Sequence, residues 1–262
     1  MPRFRQESLS PAERDAVDTQ PRPVVALALD YPPGHRIAPH SHTRTQFVHA
    51  DSGLMRVTTR TGAWVVPPGH ALWMPAEIEH EILAIEAILM RTLYLDTGAV
   101  PWLPSDCWVV AVPPLLRQLI SKAVTLPALY HIEGADGRLM AVLLDELRGL
   151  EATPLHLPFP RDPRLWDIVD TLTEFPRDDR ALDVWARTAG ASGRTLARLF
   201  LAETGMTFGE WRRRRRLLAA VEWLASGRPV TQVALDLGYA SPSAFIAMFK
   251  RHMGDTPGQF GC

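Results

Sequence analysis

Two stretches, Leu182-DVWARTAGASGRTLARLFLAETGMT-Phe208 and Val230-TQVALDLGYASPSAFIAMFKRHMGDTPGQ-Phe260, carry one pattern twice. Ala186 and Gly190 match Ala234 and Gly238 at an offset of 48 residues. Leu196, Phe200, Gly205 and Thr207 match Phe245, Phe249, Gly254 and Thr256 at an offset of 49. The slip of one residue falls in a turn and leaves the apolar spacing intact. Such a pattern indicates two copies of a single supersecondary unit.

Each copy reads as helix, turn, helix. A short apolar-periodic helix stops at a glycine able to take positive φ (Gly190, Gly238), and a serine restarts the chain (Ser192, Ser241). Pro242 then stands at a first helical position, where no N–H is needed. In the second helix of each copy the core residues recur at i and i+4, Leu196 with Phe200 and Phe245 with Phe249, which frees the opposite face. On the first copy that face carries Arg194 and Arg198, again one turn apart. Two guanidinium groups so placed near a helix start can fork onto guanine edges in a major groove. The second copy offers Pro242, Ser243, Ala244 and Ala247 instead, small side chains suited to shape fit and thymine methyl contact.

Length and composition bound the rest. At 262 residues with 47% hydrophobic content, the chain is long enough for two domains and two cores. A net charge of −1 removes global basicity as a ground for nucleic-acid binding. The distribution is more useful: residues 161–262 hold fifteen Lys and Arg against twelve Asp and Glu, and the remainder thirteen against seventeen. Two cysteines, Cys107 and Cys262, imply neither a disulfide framework nor a Cys-based zinc site. Neither a signal-peptide core nor an apolar run of membrane length stands in the sequence, so the expectation is a cytoplasmic protein with no membrane partner.

Residues 1–21 are polar and punctuated by proline, and read as a flexible N-terminal segment. From Val24 the texture changes to short β-rich runs, 24–29, 46–50, 54–60, 63–66, 70–74, 80–84 and 88–95, with Pro/Gly turns between them. Many short strands with close turns predict an antiparallel barrel or sandwich. Within it, Gly34-HRIAP-His40-Ser-His42-TRT-Gln46-FVHADS-Gly53 places two imidazoles two residues apart, which strand alternation would put on one face.

After Asp96 the β pattern fades. Segments 113–124 and 136–151 carry apolar residues at helical spacing, the second over a broad face. Four prolines, Pro154, Pro158, Pro160 and Pro163, predict an extended linker over 152–163. A helix follows from Leu165 to Thr173, and a long one from about Phe208 to Ala225 joins the two repeats. At ~1.5 Å per residue the long helix spans roughly 27 Å, of the order of the ~34 Å between successive major-groove faces. Five consecutive arginines, Arg212 to Arg216, wrap around it, so only one or two of them can reach phosphate.

Two family resemblances follow. Gly238-Tyr239-x-Ser241-x-Ser243-x-Phe245-x3-Phe249-Lys250, continued by Gly254-x-Thr256-Pro257-x2-Phe260, resembles the signature of the AraC/XylS transcription regulators. The run Arg194 to Met206 is similar to that family's first recognition helix. The resemblance implies a regulator that binds double-stranded DNA, pairs as a homodimer through helices such as 136–151, and can engage RNA polymerase. Its expected DNA contacts here are Ser192, Arg194, Thr195 and Arg198, then Ser241, Pro242, Ser243 and Ala247, with Arg212 and Arg216 from the joining helix.

The stretch Gly34 to Gly53 resembles the first cupin motif, G-x5-H-x-H-x3-E-x6-G, with Gln46 in the glutamate's place. Pro75-Ala-Glu77-Ile-Glu-His80 is similar to the second, P-x-G-x2-H, with Glu77 in the glycine's place. That resemblance implies that His40, His42 and His80, with Gln46, converge inside the barrel on a divalent transition metal (Zn, Ni, Fe or Mn). Two readings stay open, a metal site and a polar pocket whose histidines meet an organic ligand, with Trp64 and Trp73 as pocket-lining candidates. An amide is a weaker ligand than a carboxylate and supplies no general base, which disfavours cupin oxygenase or isomerase chemistry.

The fold class expected is α+β: a cupin-like antiparallel barrel plus an all-α domain with two helix-turn-helix motifs. The expected boundaries are 1–21, 22–151 for effector binding and dimerisation, 152–163, and 164–262 for DNA binding. The function expected is a DNA-binding transcriptional regulator sensing a small molecule or metal, not an enzyme. The rival is a metal-dependent cupin enzyme with an accessory helical domain.

Overall fold

A computed structural model describes residues 9–153, 155–253 and 256–259. Gly254 and Phe260, which the repeat and the signature include, lie outside these. The chain forms two compact units: one contains Trp64–Leu155 and the chain before Arg60, the other Arg60–Ala63 and the chain from His156 onward.

The first unit opens on helix α1 (Pro11–Asp18). Within the segment expected to be flexible, the chain forms a capped helix. Ser10 accepts a hydrogen bond from the Glu13 N–H and the Glu13 carboxylate accepts one from the Ser10 N–H, a capping box with Pro at N1. Val17 packs with Val25 and Tyr94. The chain then runs through β1 (Val24–Tyr31), β2 (Arg36–His40), β3 (Thr45–His49), β4 (Met55–Thr59), β5 (Gly62–Val66), β6 (His70–Met74), β7 (His80–Ala84), β8 (Ile88–Leu95) and β9 (Trp108–Ala111). Helices α2 (Pro114–Ala123) and α3 (Ala135–Arg148) follow, then β10 (Ala152–Thr153); β11 (His156–Pro158) opens the part of the chain that belongs to the second unit.

Two sheets result, ordered β1-β8-β3-β6-β9-β10 and β11-β5-β4-β7-β2. The pairings among β1 to β10 are antiparallel, so the cupin-like part takes the form of two facing sheets more than a closed barrel. Within the proline-rich stretch Ala152–Thr153 is paired to β9 and His156–Pro158 forms β11.

Side-chain alternation sorts the six-stranded sheet into two faces. Phe47, Trp73, Leu93 and Leu95 pack with Leu116, Ile120, Met140, Leu143 and Leu147, so α2 and α3 cover one face. Gln46, Met90 and Tyr94 point the other way, into a small cavity shared with Ile37, His40 and Ile82 of the second sheet. Trp73 therefore does not line the cavity: its ring lies 4.7 Å from Phe47 and 6.3 Å from Trp102 in the helix-facing layer. Trp64 is buried on β5 and does not line it either.

Glu77 is the one non-glycine residue with positive φ (63°) among the described residues. It occupies the glycine position of the second cupin-like motif, and its N–H donates to the His42 carbonyl at 2.8 Å. The turn thus holds the histidine-bearing loop. Left-handed backbone costs a residue with a Cβ roughly 1–2 kcal/mol, and the extra chain entropy of glycine offsets part of that. Glu77→Gly is expected to stabilise the protein by about 0.5–1 kcal/mol, read as a higher urea midpoint at unchanged m-value; a lower midpoint would refute the strain.

The second unit is helical: α4 (Trp166–Glu174), α5 (Leu182–Ala189), α6 (Gly193–Thr204), α7 (Phe208–Ala225), α8 (Val230–Asp236) and α9 (Pro242–Met253). Phe200, Trp211, Leu218, Phe245 and Phe249 are buried there.

Candidate functional site

The repeat folds as two helix-turn-helix units, α5–α6 and α8–α9. Both turns depend on a left-handed glycine, Gly190 at φ 61° and Gly238 at φ 80°, which lets the chain reverse without a Cβ clash. Ser192 then accepts from the Thr195 N–H at 3.2 Å, and Ser241 from the Ala244 N–H at 3.2 Å. Each second helix is therefore capped at its start by a side-chain oxygen. Leu196, Leu199 and Phe200 are buried on α6, Phe245 and Phe249 on α9.

The opposite faces are open. Arg194 and Arg198 are exposed on α6 and make no hydrogen bond or ion pair among the described residues. Thr195 is half-buried, with its hydroxyl 2.9 Å from that of Ser192. On α9, Ser243, Ala244 and Ala247 are exposed; Ser241 and Pro242 are half-buried.

The arginine run of α7 divides in a way the sequence reading missed. Arg216, one of the expected DNA contacts, has its Nε and Nη2 donating to the Pro176 and Arg177 carbonyls at 2.9 and 3.2 Å. Arg215 is buried and donates to the Thr173 carbonyl at 2.6 Å. These two arginines fasten α7 to the end of α4 and the segment after it. Arg212 reaches the Arg180 carbonyl at 3.4 Å and lies over the Phe208 ring. Arg213 is exposed. The signal that finds it is rotational: it stands about 200° around the helix from both Trp211 and Arg215, which are buried.

In the first unit the three histidines meet. Bearing a bulge, β2 pairs with β7 so that His40 lies across from His80. His42 comes from the loop after β2, so the turn places it, and the strand alternation expected from the sequence does not. Ligand-capable nitrogens of His40, His42 and His80 lie within 4.8 Å of one another. His40 Nδ1 is 2.8 Å from the Ala38 carbonyl and His80 Nδ1 is 2.9 Å from that of Ile78. A carbonyl only accepts, so Nδ1 carries the hydrogen in both rings and each Nε2 presents its lone pair. Neither ring nitrogen of His42 has a partner among the described residues, nor has His80 Nε2.

Burial keeps all three rings neutral. It pushes His42 down to about 3 and His80 to about 4, each helped by the neighbouring imidazoles, and lowers His40 as well.

Gln46 comes from β3 of the other sheet. Its amide donates to Thr92 Oγ1 and to the Tyr94 hydroxyl, both at 3.0 Å. Thr92 gives its own hydrogen to the Phe47 carbonyl at 3.2 Å, so Gln46 must be the donor of that pair. The Gln46 Oε1 is left buried and without a partner among the described residues. The Tyr94 ring stands edge-on to His42 at 4.8 Å.

Comparison with known proteins matches the same two regions. Residues 22–154 fit the model of an AraC-like ligand binding domain, and residues 185–261 fit that of a helix-turn-helix domain. The HTH-type transcriptional regulator NimR of Escherichia coli is 35% identical over 84% of this chain and 81% of its own. RipA, an HTH-type transcriptional regulator of Corynebacterium diphtheriae, is 36% identical over 46% of this chain and 34% of its own. The regulatory protein SoxS of Salmonella typhimurium is 41% identical over 36% of this chain and 92% of its own. An AraC-like ligand binding domain matched over half of the chain, a helix-turn-helix domain matched after it, and a regulator 35% identical over 84% of this chain and 81% of its own lead to one assignment: this chain belongs to the AraC family of transcriptional regulators.

Proposed function

We propose that this regulator reads a bipartite duplex site through α6 and α9, under the control of a ligand held at the three-histidine cluster. The observation that carries the reading is the pair of open arginines on α6, set on a helix whose other face is buried. Base contacts come from Arg194 and Arg198. Ser192, Thr195, Ser241, Pro242, Ser243 and Ala247 set register and shape fit, and Arg212 and Arg213 supply phosphate contacts. Selection of bound fragments from random duplex DNA by the full-length chain tests it. The expected result is an enriched motif whose two halves lie about one helical turn apart. Recovery of unselected sequence, equal to that on heparin-competed controls, would overturn it.

The cluster fits a divalent transition metal. Buried nitrogens of His42 and His80 and the Gln46 amide oxygen lack partners among the described residues, His40 stands half-buried beside them, and an N3O donor set suits Zn, Ni, Fe or Mn. A bound ion would satisfy those atoms at once. Elemental analysis of tag-free protein should find about one ion per chain, lost in the His40/His42/His80→Ala triple variant. Absence of metal when divalent ions are supplied would leave an organic ligand as the effector.

A second copy of the chain docks on α2 and α3 in this reading. Leu115 and Val142 are the exposed apolar residues of those helices, whereas Met140, Leu143 and Leu147 pack inward, which leaves a narrower face than the sequence implied. Leu115→Glu with Val142→Glu should convert a dimer to monomers in sedimentation. No helix among the described residues is long and apolar enough to cross a membrane. The regulator would act beside DNA in the cytoplasm, with RNA polymerase as the further partner.

A further inference from the structure

The cavity beside the histidines has an unusual charge balance. It is lined by Leu9, Arg14, Leu29, Tyr31, Ile37, His40, Gln46, Ile82, Met90 and Tyr94, with no carboxylate among the described lining residues. Its ionisable groups other than tyrosine are an imidazole and a guanidinium. Arg14, on α1, makes no side-chain hydrogen bond or ion pair among the described residues. That sets it apart from Arg44, which donates to the Asp18, Gln20 and Arg22 carbonyls and so fastens the end of α1 to the sheets. The helix is held in place, and its one cavity-lining cation is left open.

Replacement of the cupin-type glutamate by Gln46 removes the one negative charge that position would bring. The three histidines are neutral, and Arg14 lies near enough to depress His40 and His42 electrostatically. A divalent ion held there would keep its full charge next to a guanidinium, among Leu29, Ile37, Ile82 and Met90. Charge so buried is costly until an anion meets it. Without an ion the demand persists, because Arg14 and the one ring N–H of His42 are donors with no acceptor among the described residues.

We propose that Arg14 and the histidine cluster form one anion-binding site, and that the effector reaches it through a carboxylate. The cavity measures about 10 Å3, room for about one water, so it takes one oxygen of the anion and not the body of the molecule that carries it. Arg14 is the specificity-determining residue: it donates to the carboxylate, while the histidines act through the bound ion or, without one, through the His42 N–H. The metal part rests on the reading above; the anion part does not.

Acetate serves as the probe, titrated into full-length protein loaded with Co(II) and, separately, into metal-free protein. In the loaded protein the Co(II) absorption bands should shift and saturate. Arg14→Gln should weaken acetate about tenfold or more at unchanged Co(II) affinity, and Arg14→Lys should recover part of the loss. Bands that ignore acetate, or an Arg14→Gln variant that binds it like the parent, overturn the proposal. If the parent takes up no Co(II), the metal reading fails and calorimetry on metal-free protein decides: acetate heat lost in Arg14→Gln upholds the anion site, and no heat in the parent overturns it.

Discussion

Trp211→Ala should unfold most of the helical unit at room temperature and abolish DNA binding with it. Trp211 is fully buried on α7 and packs at 5.9 Å on the Phe200 ring, itself fully buried on α6. Truncation of such a side chain costs roughly 3–5 kcal/mol through lost transfer energy and the cavity left behind. The indole N–H also donates to the Pro158 carbonyl at 2.7 Å, a buried bond. Its loss strands an acceptor, at about 1–3 kcal/mol. Domain stabilities of about 5–15 kcal/mol leave little after such a change. Trp211→Phe keeps most of the apolar area and loses only the bond, so it should fall between. Urea unfolding by far-UV circular dichroism, with a DNA mobility shift on the same samples, reads both. A Trp211→Ala variant melting within about 0.5 kcal/mol of the parent would show that the ring is not a keystone of this core.

The two units were not equally legible. Gly190, Ser192, Gly238 and Ser241 announce their turns because each performs a local backbone task that few residues can. The helices they punctuate were found nearly to the residue; α7 runs from Phe208 to Ala225 as read. Local chemistry hid other elements. β2 contains Pro39, which argues against a strand, but β2 is a sheet edge where a missing N–H is harmless. β9 is four residues long and offers too little alternation to read.

Helix α1 carries its signal in the capping box Ser10-Pro11-Ala12-Glu13, but Val17 is the one buried hydrophobic residue among those of the helix whose burial is described, which leaves little apolar periodicity to read. Of the site, the resemblance to the two cupin motifs, and not strand alternation, is what points to His40, His42 and His80 as one cluster. Two things could not be read. The faces of Trp64 and Trp73 depend on which sheet layer the helices cover. The fate of Arg212 to Arg216 depends on where the α4 carbonyls end. Both are tertiary facts.

A double variant, Arg194→Ala with Arg198→Ala, should lose discrimination between its selected site and scrambled duplex while remaining folded. Both side chains are exposed, so their removal opens no cavity and leaves no buried group unpaired. Other guanidinium groups of the unit have intramolecular work: Arg164 and Arg180 close on Asp162 and Asp178, and Arg215 and Arg216 on carbonyls. Arg194 and Arg198 have none among the described residues. A bidentate arginine–guanine contact is worth about 1–3 kcal/mol, so each single variant should relax preference at one base position. The two sites lie on one helix a turn apart, so their losses need not add. Phosphate contacts behave differently: Arg213→Ala should weaken selected and scrambled DNA about equally and reduce the salt dependence by roughly one ion. The contrast makes the test sharp. If Arg194→Ala and Arg198→Ala also weakened both duplexes equally, α6 would be a backbone clamp, and base reading would have to come from α9. There the exposed side chains at the helix start are Ser243, Ala244 and Ala247, with little hydrogen-bonding power to offer a base edge.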